Sequence, residues 1–248
     1  MWFETALIFP TWQIPPGEWN PAGFSFEDIF FRAEDGTRLN GWYFEHPEPR
    51  AHVLYCHGNG EDLSHMGEYM DELREKYRVS IFAFDYRGYG KSEGRPCEAG
   101  IIADAWAARA QLAERARVRP EQIVLWGRSI GGAVAVALGA EIEARGMILE
   151  RTFTSLVDVA ARHFRWLPVR RLLRNRFDSL TRIGNCHAPL LQSHGTADEI
   201  VPFALGKTLF EAAPSTDKQF IAMPGVTHNS PSTKEYYDAL HRFLEHLP

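Results

Sequence analysis

From about residue 50 onward the chain repeats one pattern. A short continuous apolar run is followed by a longer stretch in which apolar residues recur at three- and four-residue spacing. The runs are His52–Cys56, Val79–Phe84, Ile123–Trp126, Met147–Leu149, Pro189–Ser193 and Lys218–Ala222. Runs of this length without polar alternation read as strands buried on both faces. The stretches between and after them predict helices at about 63–76, 98–117, 130–144, 202–213 and 232–246. Strands alternating with helices imply an α/β fold, a mostly parallel sheet with helices on both faces. Ahead of the series, Phe26–Arg32 and Leu39–Phe44 flank Asp35-Gly36, which predicts an antiparallel N-terminal hairpin. The segment up to about Gly23 is rich in Trp and Pro and is expected to be irregular chain. No repeat or low-complexity linker interrupts the pattern. A single domain over residues 1–248 is therefore expected, with an insert at about 152–187 forming a small helical lid.

In such sheets functional groups gather in the loops at the carboxyl ends of the strands. The run Ile123–Trp126 ends in Gly127-Arg128-Ser129-Ile130-Gly131, followed by the Ala-rich stretch Ala133–Leu138. This is G-x-S-x-G between a strand and a helix, where a turn so sharp strains the serine backbone and side chains at the two glycines would collide with the neighbouring chain. Ser129 is thereby the candidate nucleophile, and an ordinary N-cap serine is the plain alternative.

A serine hydroxyl needs a base to take its proton. Three of the ten histidines follow position 200. His241 and His246 fall in the last amphipathic helix, where a solvated face explains them. His228 falls in the loop after the last strand, and we read it as the base. For the acid that orients it, Asp198 stands directly after the fifth run, and Glu150, at the end of the fourth, is the alternative. Asp85 ends an earlier strand and is expected to make a structural bond. The run His52–Cys56 ends in His57-Gly58-Asn59-Gly60. The oxyanion donors are then expected to be the backbone N–H groups of Ile130 and Asn59, with His57 structural.

Composition narrows the classes further. A net charge of −5 argues against a general nucleic-acid binder. Three cysteines, Cys56, Cys97 and Cys186, have no metal-type spacing and cannot close a disulfide framework, which suits a reducing compartment. No metal and no cofactor is expected, since no H-E-x-x-H or comparable spacing occurs. No apolar stretch reaches the length of a membrane span, and a cytoplasmic protein is expected.

The series His57-Gly58-Asn59-Gly60, Asp85-Tyr86-Arg87-Gly88-Tyr89-Gly90-Lys91-Ser92, Gly127-Arg128-Ser129-Ile130-Gly131, His194-Gly195-Thr196-Ala197-Asp198 and Gly225-Val226-Thr227-His228-Asn229 resembles the α/β-hydrolase superfamily. It is most similar to small bacterial serine hydrolases related to eukaryotic protein depalmitoylases. The resemblance runs from about residue 26 to the end. It implies the α/β-hydrolase fold, a triad of Ser129, Asp198 and His228, and hydrolysis of small acyl esters, with thioesters and then peptides as alternatives. A hydrolase-fold binding module is the non-enzymatic alternative; such modules commonly lose a triad member, and all three positions are filled here. Relatives often carry an N-terminal membrane anchor or cysteine cluster. Neither is visible here, so membrane-bound depalmitoylation is not expected.

The insert contains Arg162, Arg165, Arg170, Arg171, Arg174, Arg176 and Arg182 among Phe164, Trp166, Leu167, Val169, Leu172, Leu173 and Phe177, with Pro168 placed to open a short helix. Two readings stand. One is a packed helix with solvated arginines. The other is a basic amphipathic element that holds an anionic substrate tail or touches an anionic lipid surface.

Overall fold

The computed structural model describes residues 2–164 and 166–248. The chain divides into two compact units, Met1–Val124 and Leu125–Pro248.

The first unit opens with α1 (Trp2–Ile8) and a 3-10 turn at Thr11–Gln13. The expectation of irregular chain up to Gly23 is thus corrected over its first part, where Pro10 separates two short helical pieces. The hairpin follows as β1 (Glu27–Arg32) and β2 (Arg38–Phe44), with Arg32 opposite Arg38. Gly36 takes φ +85° between them, a left-handed conformation that favours glycine. After the hairpin come β3 (Ala51–Cys56), α2 (Gly67–Tyr77), β4 (Val79–Asp85) and α3 (Glu98–Ala116). The strand order is β1-β2-β4-β3, antiparallel from β1 to β4 and parallel between β4 and β3. Every residue of β4 is buried, Ser80 and Asp85 included, and Cys56 is fully buried at the end of β3.

The second unit carries β5 (Ile123–Arg128, which begins just before it), α4 (Ile130–Gly139), β6 (Gly146–Glu150), the insert helices α5 (Leu156–His163), α6 (Val169–Leu172) and α7 (Ser179–Ile183), then β7 (Leu190–Gly195), α8 (Phe203–Ala212), β8 (Lys218–Met223) and α9 (Lys234–His246). Its strands are ordered β5-β6-β7-β8, and β6, β7 and β8 pair in parallel. The expected fold class stands: α/β, mostly parallel, with an antiparallel hairpin at the N-terminal side. β6 and β7 are buried throughout, whereas β8, at the end of the order, alternates in burial. α4 is buried on all sides, which its Gly, Ala and Val composition permits. It is five residues shorter than periodicity suggested. The helix stops at Gly139, a poor helix former, whose Cα lies so near Met147 that an added Cβ would sit 2.9 Å from its Sδ. The first predicted helix is also split, a 3-10 turn at Leu63–His65 preceding α2. Pro168 stands one residue before α6, as its cap.

Candidate active site

Ser129 sits between β5 and α4 with φ 54° and ψ −118°, the strained backbone that the motif demands of a residue with a side chain. The glycines around it make room. A Cβ at Gly127 would lie 2.2 Å from the carbonyl oxygen of Gly131, and one at Gly132 would lie 2.6 Å from Thr152. The turn is held at both ends: Ser129 N–H donates to the Glu150 carbonyl at 2.8 Å, and the Thr152 hydroxyl donates to the Ser129 carbonyl at 2.8 Å. Ile130 is the first residue of α4, whose opening turn presents N–H groups with no acceptor inside the helix.

His228 Nε2 lies 3.2 Å from Ser129 Oγ, and His228 Nδ1 lies 2.8 Å from Asp198 Oδ2. A carboxylate only accepts, so Nδ1 carries the proton and Nε2 presents its lone pair to the hydroxyl. All three side chains are largely buried, with Ser129 at 9% exposure. Three residues from separate loops, 129, 198 and 228, are thus brought into proton-transfer reach.

The acid turn is built around its carboxylate. Asp198 Oδ1 accepts from Val201 N at 2.7 Å and Ile200 N at 3.0 Å. A second imidazole, His194, is fully buried at the end of β7; its Nε2 donates to the Val201 carbonyl at 2.8 Å and stands 3.3 Å from Asp198 Oδ2. Burial alone would raise the Asp198 pKa. Hydrogen bonds from His194 and His228 and the Val201 amide outweigh it, and the carboxyl is held well below the usual carboxylate range. The acid and base loops are stitched together by Gly225 N–H on Thr196 Oγ1 at 2.9 Å and Ala197 N–H on the Val226 carbonyl at 3.1 Å. Gly195 admits this approach, since a Cβ there would meet the Val226 carbonyl oxygen at 2.1 Å.

Two arginines hold the base loop. Arg151 Nη1 donates to the His228 carbonyl at 2.7 Å and its Nη2 to Ser232 Oγ at 3.0 Å. Arg128 Nη2 donates to the same carbonyl at 3.1 Å and to Asn229 Oδ1 at 3.1 Å. Sequence reasoning missed His194, Arg128 and Arg151. His194 and Arg128 lie inside the quoted motifs, but nothing in their spacing tells where the ring or the guanidinium points.

The other candidates are accounted for. Glu150, the alternative acid, accepts from the Tyr236 hydroxyl of α9; burial raises its pKa, and that bond only partly offsets the rise. In the first unit His57 is fully buried, its Nδ1 2.6 Å from the Gly58 carbonyl, and Asp85 accepts from Leu63 N at 3.0 Å. Both are structural bonds, as read. The Asn59 side chain is fixed by its Nδ2 on the Ile8 carbonyl and by the Tyr89 hydroxyl, each at 2.5 Å. His241 and His246 bond within α9, to Glu245 and to the Arg242 carbonyl. Of the insert arginines, Arg165 lies outside the described residues.

Comparison with known proteins identifies the chain's relatives. The model of the family described as serine aminopeptidase, S33, matches residues 47–181. An uncharacterised protein of Mycobacterium tuberculosis is 42% identical over 229 residues, covering 90% of this chain and 80% of its own. The bem46 protein of Schizosaccharomyces pombe is 34% identical over 262 residues, covering 98% and 86%. Among solved structures, a Pyrococcus furiosus esterase superposes with a TM-score of 0.75 at 20% identity, covering 94% of this chain and 98% of that one. A Paleococcus ferrophilus monoacylglycerol lipase does so at 0.63 and 23%, covering 84% and 98%. At these identities the structural likeness speaks for the fold. Among the described residues no helix is long and apolar enough to cross a membrane.

Proposed function

The chain belongs to the serine aminopeptidase S33 family of α/β hydrolases, and from that premise we propose that it is a serine carboxylic-ester hydrolase acting through an acyl-enzyme. The observation that carries the reading is the relay in which Asp198, His228 and Ser129 follow one another at 2.8 and 3.2 Å, with the serine on a strained turn.

The chemistry follows from these atoms. Ser129 Oγ attacks the ester carbonyl while His228 Nε2 takes its proton, and Asp198 stabilises the imidazolium that forms. The N–H group of Ile130, in the opening turn of α4, receives the negative charge on the carbonyl oxygen, such a donor contributing about 3–4 kcal/mol of transition-state stabilisation. The C–O bond to the alcohol breaks, and the alcohol leaves with the proton from His228. Water, deprotonated by the same imidazole, then releases the acid and regenerates the serine. The cycle starts from a neutral imidazole, whose Nε2 lone pair takes the serine proton.

The family takes its description from an aminopeptidase, which must hold a substrate ammonium. Residues 156–177 carry six arginines and one carboxylate, Asp158. This segment touches the acid turn through the His163 ring, which bonds the Ile200 carbonyl at 2.8 Å. A positive field there opposes an ammonium and supports an ester over a free amino terminus.

The test is a panel of p-nitrophenyl esters and acyl thioesters of graded chain length, with aminoacyl p-nitroanilides alongside. Esters should turn over fastest, and Ser129→Ala should lower kcat by about 10⁶-fold. A fluorophosphonate probe should label the wild type at Ser129 and leave the variant unlabelled. Absence of labelling would remove the enzyme reading, and preference for the anilides would replace the ester reading with a peptidase.

A further inference from the structure

The insert between β6 and β7 is a positive island on an acidic protein. In a chain of net charge −5, residues 156–177 hold Arg162, Arg165, Arg170, Arg171, Arg174 and Arg176 against Asp158 alone. Arg170 bonds that carboxylate at 3.0 Å, and within the segment itself six guanidinium groups stand against one carboxylate. Arg162, Arg170, Arg171, Arg174 and Arg176 are all exposed.

The apolar residues interleaved with them are exposed too. Trp166 is 80% exposed, Leu172 59% and Phe164 39%, although large apolar side chains ordinarily turn inward. The segment is nevertheless built into the fold. Val157, Val159 and Val169 are buried, Leu156 N–H donates to the Arg176 carbonyl at 2.8 Å, and Ser155 caps α5 through Asp158 N. It also leads to the chemistry. The His163 ring bonds the Ile200 carbonyl at 2.8 Å, Ile200 N–H donates to Asp198 Oδ1 at 3.0 Å, and the Ile200 side chain is itself 42% exposed.

We propose that the segment Arg162–Arg176 docks the protein on an anionic phospholipid surface, with Trp166, Leu172 and Phe164 entering the headgroup layer and the arginines pairing with lipid phosphates. Charge complementarity selects an anionic partner. The mixture of exposed indole, leucine and guanidinium selects a bilayer interface, which solvates both kinds of group at one depth. An acidic protein surface would match the arginines without giving an exposed tryptophan among them anything to enter. Docking would bring the acid turn of the triad beside the membrane face, where lipid-borne esters reside.

Binding of this kind is independent of the hydrolytic reading and is measured apart from it. The full chain is sedimented with vesicles of phosphatidylcholine alone or with about 30% phosphatidylglycerol, at low salt and at about 0.5 M salt. Wild type and Ser129→Ala should both sediment with the anionic vesicles at low salt and stay in solution with neutral ones. R170E/R171E/R174E and, separately, W166A/L172A should each weaken anionic-vesicle binding at least about tenfold. Turnover of a short, neutral, water-soluble ester should be unchanged in both. R170Q/R171Q/R174Q should lie between wild type and the reversal, which keeps the electrostatic arm readable if charge reversal disturbs folding. Equal binding to both vesicle types, no binding to either, or loss through the arginines with W166A/L172A unaffected would overturn the proposal.

Discussion

At the scale of single residues, the base loop is positioned through an unusual backbone. Arg151 follows β6 at φ 50°, a left-handed conformation that costs a side-chain-bearing residue about 1–2 kcal/mol. It is 5% exposed, and its guanidinium is spent on the His228 carbonyl and on Ser232. Glycine suits the backbone better than any residue, so the arginine is kept by what its side chain holds. Two variants separate these contributions. Arg151→Ala and Arg151→Gly both remove the clamp, and each should lower kcat on a good ester about tenfold or more, by loosening the imidazole. A glycine meets no left-handed penalty here, so that variant should be more stable than the alanine one by about 0.5–1 kcal/mol in urea unfolding. Equal or reversed stability would show that the backbone is not strained. None of this was legible in the sequence. A motif records which residues recur in what order, whereas φ at residue 151 is set by β6 ending where the chain must turn toward Thr152, whose hydroxyl bonds Ser129.

At the scale of elements, the periodic pattern located the strands to within a residue or two, because strands buried on both faces leave an unbroken apolar run. It missed where termini and local contacts decide. α1 is a seven-residue helix in a Trp- and Pro-rich stretch, and α4 ends at Gly139, short of the periodic stretch that runs on to 144. The docking of α9 was also out of reach, since it depends on a pairing between residues 86 apart. The Tyr236 hydroxyl donates to Glu150 at the end of β6, and both are buried. Burial raises the Glu150 pKa and the tyrosine bond pulls it back toward ionisation. Tyr236→Phe should therefore cost about 1–3 kcal/mol at neutral pH, where the unfolded chain ionises this carboxyl and the folded one loses the tyrosine donor. The cost should shrink as pH falls toward the unfolded value near 4.3, where protonation no longer separates the two states. Glu150→Gln in the Tyr236→Phe background should remove the pH dependence. Urea midpoints at neutral pH and near pH 4 check both points, and a pH-independent penalty would contradict the account.

At the scale of the whole chain, the order Ser129, Asp198, His228 was legible because each residue falls after an apolar run, where a parallel sheet collects its functional loops. What composition does not show is that the buried carboxyls act on stability in opposite senses. Asp198 is held below its ordinary pKa, burial being outweighed by His194, His228 and Val201 N. Asp85 is pushed well above its own, first by burial and then by the charge of Asp62. A depressed carboxyl contributes stability that is present above the unfolded value near 3.9 and is lost as pH falls below it, because the unfolded chain then binds the extra proton. A raised carboxyl does the reverse: the folded state binds more protons above that value, so stability declines as pH rises toward the folded pKa. Asp198→Asn should thus be less stable than wild type near neutrality, and the gap should close as pH drops from about 4 toward 2. Asp85→Asn keeps an oxygen for Leu63 N–H and has no proton to lose. Its stability relative to wild type should rise steadily from about pH 4 to neutrality. Urea titrations of the three proteins across that range decide the matter: curves parallel to wild type would mean that neither carboxyl has the environment described, whatever the hydrolytic activity of the variants.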